Sequence, residues 1–454
     1  MTHPWGPAAH IVPPFLLRHL AESDAAIAPL ARLTLDADGH QRSARASGQG
    51  AAPTVRPPGA AAPAGPSREV ADAGGTEQLP GRTVRSEGAP ATGDAAADEA
   101  YDGFGATWRL FDEVYGRNSI DCAGLTLRGT VHYGRGYQNA FWNGSRMVFG
   151  DGDGEIFGRF TAGLDVIGHE LTHGVVERTA NLTYSGQPGA LNESMADVFG
   201  SLVAQYAAGQ DAGEADWLIG ADLLLPGVKG TALRSMLHPG TAYDDPRLGR
   251  DPQPDHMSGY VRTTDDNGGV HYNSGIPNRA FALAATTIGG PAWERAGRVW
   301  YDVLTGGELR SGSGFEDFAA LSVAAALARY GDGAEAAAIR AAWQAVGVIG
   351  APASPGTPAG VDPRAELLVR RTGGVAGLVR ERRTSLADLP RGDRRAWSGL
   401  LARRTLPRLA ATGSPVPDAF CYGVVCRDAD LDVEVAEHVL PEEVRALLER
   451  TLRG

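Results

Sequence analysis

The chain has 454 residues, 43% of them hydrophobic, with 54 acidic against 42 basic side chains and a net charge of −12. That length allows two or three domains with sizeable cores, and the acidic balance argues against nucleic acid as a partner. Three cysteines (Cys122, Cys421, Cys426) cannot all pair with one another, against a disulfide-built secreted scaffold, and Cys122 reads as a free or buried thiol rather than a ligand.

The N-terminus, MTHPWGPAAHIVPPFLLRHL, lacks the basic start and unbroken apolar core of a secretory signal, and no run of 18 apolar residues predicts a membrane span. Pro13 and Pro14 dictate an extended segment, Phe15, Leu16 and Leu17 follow as an apolar plug, and helical or turn-like structure is expected to about Ala28. From Asp36 to Ala97 the composition shifts to Ala, Gly, Pro, Ser and Thr. Such a stretch buries too little apolar surface to fold. Residues 36–97 therefore read as a disordered linker behind a short N-terminal segment, 1–35.

Glu99–Tyr115 carries apolar and aromatic residues at helical spacing and stops at Gly116. Leu125–Tyr133 alternates as a strand, Asn139–Gly150 reads as a hairpin turning at Asn143-Gly144, and Asp151–Gly154 is a turn. Phe160–Arg178 is a helix that contains H-E-x-x-H: His169, Glu170 and His173. Positions four apart share a helical face, so the two imidazoles can aim at one point with Glu170 beside them. A catalytic zinc usually takes three protein ligands and a water. The third candidate is Glu193 in NESMAD, 20 residues after His173. It sits on a second helix, Ala190–Ala208, reached through the Gly/Pro loop Ser185–Gly189. Asp197, four residues past Glu193, can accept the free ring N–H of a ligand histidine.

The chain is then mostly helical. Asp216–Ile219 leads a loop, Leu233–Met236 follows, and Asp265–Gly275 (DDNGGVHYNSG) reads as an exposed glycine turn that presents His271 to a cleft. Ile276–Thr286, Trp293–Leu304, Phe315–Tyr330 and Ala334–Val346 are amphipathic helices.

Together NAFWNGSRMVFGDGDG, HELTH, NESMAD, LRSM and DNGGVHYNSG resemble the thermolysin family of zinc metallopeptidases, over about residues 98–350. Pro13, Pro14, Phe15 and Leu17 are similar to the precursor segment of its protealysin subgroup. The resemblance implies an α+β fold of two lobes: a β-rich N-lobe with the zinc helix, 98–180, and an α-helical C-lobe, 181–350, with the cleft between them. It implies a neutral zinc endopeptidase made as a zymogen, cleaving peptides and proteins before bulky hydrophobic residues. Glu170 is then the general base, Tyr184 and His271 stabilise the oxyanion, and Asp266 holds the His271 ring. Asn139, Ala140, Phe141 and Trp142 match the strand that grips extended substrate, and Arg234 the residue that bonds a substrate carbonyl. Phe157, Phe160, Val166, Ile219 and Leu233 fall where the family builds an apolar pocket.

One departure concerns calcium. Asp165 and Asp216 match two ligands of the family's double calcium site, but Ala204, Leu218 and Ala221 replace its glutamates. Calcium takes six to eight oxygens, so the double site is expected to be lost and one catalytic zinc to remain. The resemblance further suggests secretion by a non-classical route (the alternative being the cytoplasm) and a monomer.

Residues 351–362 are a Pro/Ala/Gly linker. Beyond them, 363–454 reads as a small α+β domain: a hairpin (Ala365–Arg371, Gly377–Ser385), a helix (Arg391–Arg404), a second hairpin (Phe420–Arg427, Leu431–Ala436) and a helix (Pro441–Leu452). The arginines of 364–408 read as a solvated face. Element order and the LADLP and LPEEVRALLERTLR phrases resemble emfourin, a small inhibitor of protealysin-like peptidases; the rival reading is a generic appended binding domain. Cys421 and Cys426, five apart on one strand, lie on opposite faces and are not expected to bridge. For the whole chain the alternative function is a non-catalytic binding or regulatory protein on a peptidase scaffold, and a third is a zinc hydrolase acting on something other than peptides. Both are disfavoured, because every expected catalytic position is filled and the NAFW strand suits peptides.

Overall fold

The computed structural model describes residues 9–23, 26–46, 65–350, 365–373, 379–402, 406, 409, 420–426 and 431–453. The chain divides near residue 351 into two compact units.

In the first unit a six-stranded mixed sheet lies beside a set of helices. Its strands are β1 (Ala9–His10), β2 (Arg68–Asp72), β3 (Arg82–Ser86), β4 (Leu127–Val131), β5 (Ala140–Trp142) and β6 (Met147–Phe149). Their order is β1-β5-β6-β4-β2-β3, with β2–β4 and β4–β6 parallel. The expected hairpin is present: β5 pairs antiparallel with β6, Ala140 opposite Phe149, and the Asn143 carboxamide closes its turn on the amides of Ser145 and Arg146. The other side of β5 takes β1, with Ala9 opposite Trp142 and His10 opposite Phe141.

The linker reading of 36–97 is corrected. The structure has α1 (Pro14–Glu22) and α2 (Ala28–Ala46), and 68–97 supplies two strands and the start of α3 (Ala95–Arg109). Composition misled because these strands are poor in apolar residues. Val70 and Ala71 nonetheless face the core, and Arg85 closes on Asp98 at 2.9 Å while its guanidinium lies 3.8 Å over the Tyr101 ring. The N-terminal segment also extends past residue 35, since Asp38 is buried against the peptidase and accepts a hydrogen bond from the Tyr137 hydroxyl. Pro14 opens a helix rather than continuing an extended run, because the first helical position needs no backbone N–H. The remaining tether expected over 47–64 and the linker of 351–362 lie outside the described residues.

Asp94 caps α3 by accepting from the amides of Ala96 and Ala97, and the helix widens into a π turn at Leu110–Val114. Helices α4 (Leu164–Glu177) and α5 (Gly186–Ala208) are buried along most of their length. They cross where Gly168 meets Gly200: a Cβ on Gly168 would stand 3.0 Å from the Gly200 Cα. Next, α6 (Asp266–Asn273) is irregular, with Asp266 (φ 52°), Asn267, Gly268 and Gly269 all at positive φ. It is followed by α7 (Gly275–Ile288), α8 (Ala296–Thr305), α9 (Phe315–Tyr330) and α10 (Ala334–Ala345). Trp300 stacks on Trp343 at 6.0 Å among them.

The second unit is a four-stranded antiparallel sheet with two helices. β7 (Glu366–Thr372), β8 (Arg380–Ser385), β9 (Cys421–Cys426) and β10 (Leu431–Ala436) run in the order β8-β7-β9-β10, as the two expected hairpins require. Helices Arg391–Ala402 and Glu442–Arg453 cover it, and Trp397 donates to the Thr451 hydroxyl at 2.8 Å within their shared core. Cys426 is buried and Cys421 is not; neither they nor the exposed Cys122 form a bridge.

Candidate metal centre and substrate cleft

The tight crossing of α4 and α5 puts His169 and His173 of one helix against Glu193 and Asp197 of the other. His169 donates through Nδ1 to Asp197 at 2.8 Å, and His173 through Nδ1 to Asn192 at 2.8 Å. Both Nε2 lone pairs are thereby turned inward, 3.0 Å apart, and each lies 3.6 Å from a Glu193 oxygen. All three side chains are buried. Two lone pairs and a carboxylate facing one another repel unless a cation sits among them. A tetrahedral zinc with ~2.1 Å bonds separates its ligand atoms by about 3.4 Å, which matches these gaps. Burial drives the His173 pKa down to about 4, leaving the ring neutral as a ligand must be. Glu193 is held below its ordinary range: burial opposes this, but His271, His173 and His169 outweigh it.

Glu170 is fully buried, and neither of its oxygens makes a hydrogen bond among the described residues. Burial, then the neighbouring Glu193, push its pKa well up; the backbone amides of Trp142 and Ile11 approach and pull weakly the other way. The Tyr184 hydroxyl donates to Glu193 and lies 3.5 Å from His271 Nε2.

His271 is buried rather than displayed on an exposed turn, which corrects the expectation. One Asp266 carboxylate accepts both the His271 amide, at 2.8 Å, and its Nδ1–H, at 2.6 Å, and so folds the glycine stretch inward. The other nitrogen, Nε2, donates to the His10 carbonyl at 2.9 Å. With acceptors at both nitrogens the ring is an imidazolium. Burial lowers its pKa, but Asp266 and Glu193 carry it up to about 9.

The strand edge and Arg234 grip polypeptide backbone, and that backbone belongs to this chain. Ile11 donates to the Ala140 carbonyl at 3.2 Å, and Val12 donates to Asn139 Oδ1 at 2.9 Å. Arg234 donates to the Ile11 carbonyl at 2.9 Å while its other nitrogens clamp Asp197 at 2.8 and 2.9 Å. Phe141 and Trp142 are buried; Phe141 packs with Tyr133, Tyr137 and Val148, and the Trp142 indole donates to Glu177. Phe157, Phe160, Val166, Ile219 and Leu233 are core residues in the same apolar cluster as Ile11.

Sequence reasoning missed Asn192, Asn278 and Asp38. Asn192 stands beside the ligand Glu193, and that adjacency was the available signal. Asn278, which donates to Asp197 at 2.8 Å, and Asp38, which accepts from Asn139 at 2.9 Å, come from distant segments with no local mark.

A buried three-ligand centre that opens onto a backbone-gripping strand defines a zinc metallopeptidase, here in its precursor form. Residues 68–177 match the thermolysin metallopeptidase catalytic domain and 180–348 its alpha-helical domain. An extracellular metalloprotease of Pectobacterium carotovorum subsp. carotovorum is 57% identical over 287 residues, covering 63% of this chain and 82% of that protein. Protease PrtS of Photorhabdus sp. (strain Az29) is 51% identical over 283 residues, 62% of this chain and 76% of that one. The precursor of protealysin, a metalloproteinase from Serratia proteamaculans, superposes with a TM-score of 0.69 at 49% identity, covering 75% of this chain and all of that one. The chain belongs to the thermolysin family of zinc metallopeptidases, and its residues 369–452 match emfourin.

Proposed function

We propose that His169, His173 and Glu193 hold one zinc ion and that Glu170 is the general base of peptide hydrolysis. The observation behind this is the set of inward-facing ligand atoms 3.0–3.6 Å apart beside an unbonded, buried carboxylate. When bound, zinc supplies Lewis acidity and a water of lowered pKa. Glu170 is placed to take a proton from the attacking water and to deliver it to the leaving amine. Tyr184 and the His271 imidazolium donate to the carbonyl oxygen as charge gathers on it, with Asp266 fixing the ring. Asn139, Ala140 and Arg234 hold the substrate backbone extended, and the apolar residues around Phe157, Phe160, Val166 and Leu233 select a bulky residue after the cut. The Glu170→Gln variant tests this: it should retain one zinc per chain by elemental analysis and lose casein hydrolysis. Loss of zinc along with activity, or activity retained, would refute the assignment.

The double calcium site is absent in this reading. The Gly220 amide donates to Asp165 at 2.6 Å, and burial raises the Asp165 pKa to about 6. Calorimetry finding two calcium ions there would overturn it. Relatives named as extracellular support secretion, and no helix among the described residues is long and apolar enough to cross a membrane. A non-classical export route and a monomeric state complete the proposal. The emfourin-like segment is read as an inhibitor carried in cis. A chain ending at Gly350 should then hydrolyse casein faster than the full chain after identical maturation, and equal rates would remove the idea.

A further inference from the structure

The N-terminal segment crosses the cleft in the direction and register of a substrate. Ile11 and Val12 are held by Ala140, Arg234 and Asn139, as described. One residue earlier, the His10 carbonyl accepts from His271 Nε2, and that nitrogen is itself 3.4 Å from Glu193 Oε2. Among the described residues of the segment, the peptide carbonyl at the metal centre is therefore that of His10. The side chain that follows it, Ile11, is fully buried and apolar.

We propose that the His10–Ile11 peptide bond is the enzyme's first substrate, hydrolysed in cis within the folded precursor. The inference rests on the endopeptidase reading above. Water adds to the His10 carbonyl carbon while Glu170 accepts one of its protons. The C–N bond then breaks as Glu170 passes that proton to the Ile11 nitrogen, and the water's second proton, left on the new carboxylic acid, follows it there. The products are a His10 carboxylate and an Ile11 ammonium, and nothing is oxidised or reduced. Both ends stay gripped afterwards. His10 remains paired with β5 and 3.3 Å from Asp38, and Ile11 remains under Arg234 and is followed by α1. The cut therefore leaves the cleft filled, and release of the segment is a later event.

The test uses full-length chain incubated with zinc at several protein concentrations, followed by denaturing mass spectrometry, N-terminal sequencing and a parallel casein assay. A chain beginning at Ile11 should form before casein hydrolysis develops. Its rate should be first-order, the same at every protein concentration, and zero in Glu170→Gln. Ile11→Gly should slow the cut by at least about tenfold, since one lost methylene in an apolar pocket already changes selectivity ~10-fold or more. Casein hydrolysis arising without any chain that begins at Ile11 overturns the inference and leaves the endopeptidase reading standing. A rate proportional to protein concentration overturns the cis step, and an unslowed Ile11→Gly overturns the register. Absence of both cutting and casein hydrolysis overturns both readings.

Discussion

A Cβ on Gly200 would stand 2.4 Å from the carbonyl oxygen of Asp165 and 2.9 Å from the amide nitrogen of His169. The two helices that carry the metal ligands thus touch backbone to backbone, and no side chain fits between them. Gly200→Ala must push α5 away from α4, and overpacking of this kind costs ~1–3 kcal/mol. A lowered melting midpoint of the metal-free protein and a weaker zinc affinity in chelator competition are expected together. A variant that melts and binds zinc like the parent would show that the crossing does not set the ligand geometry.

Asn192 should matter to the metal although it never touches it. Its Oδ1 accepts from His173 Nδ1 and fixes which way that ring faces. Partners of this kind are worth ~10–100-fold in metal affinity. Asn192→Ala should weaken zinc by that factor in a competitive titration, with the far-ultraviolet spectrum unchanged. Undiminished affinity would assign ring orientation to packing alone.

Asp165 gives a pH dependence with a definite sign. Burial raises its pKa from an ordinary 3.8 to about 6, so the fold favours the protonated acid. That contribution is complete below the ordinary value and is lost as pH rises through about 6. At 1.36 kcal/mol per pH unit it amounts to ~3 kcal/mol. In chelator, the Asp165→Asn protein should lose less stability between pH 4 and pH 7 than the parent, as read from urea midpoints. Parallel curves would mean that Asp165 is ionised in the fold, as a bound cation would make it.

Asp38 joins the N-terminal segment to the peptidase through Tyr137 and Asn139, with His10 3.3 Å away. Asp38→Ala leaves Asn139 Nδ2 and the Tyr137 hydroxyl short of a buried acceptor, a loss of ~1–3 kcal/mol each. The precursor should then shorten its lag before casein hydrolysis several-fold. An unchanged lag would move the latch elsewhere in the segment.

Much of this was legible in the residues. H-E-x-x-H and the Glu of NESMAD are spaced by helical periodicity, so His169, His173, Glu193 and Asp197 could be brought together on paper. The hairpin was legible because Asn143-Gly144 marks its turn. Two things were hidden. His271 looked exposed because glycines surround it, whereas the decisive contact is a carboxylate five residues earlier that pulls the ring inward. Residues 68–86 looked unfoldable because their strands are stabilised less by their own apolar content than by the neighbours β4 and α3, which a local composition window does not see. For the same reason the pairing of Ala9 and His10 with Trp142 and Phe141 carries no sequence signal: it spans more than 130 residues and uses backbone atoms only.

That the blocking segment and the cleft it fills share one chain has a consequence for how the enzyme can be switched on. A separate inhibitor falls away when its concentration drops below its dissociation constant, but a tethered one keeps an effective concentration set by the connecting chain, on the order of millimolar. Leaving a crowded cell for a dilute exterior therefore does not arm this enzyme. A cut in the chain between this segment and the peptidase is what turns the segment into a free molecule that can drift off.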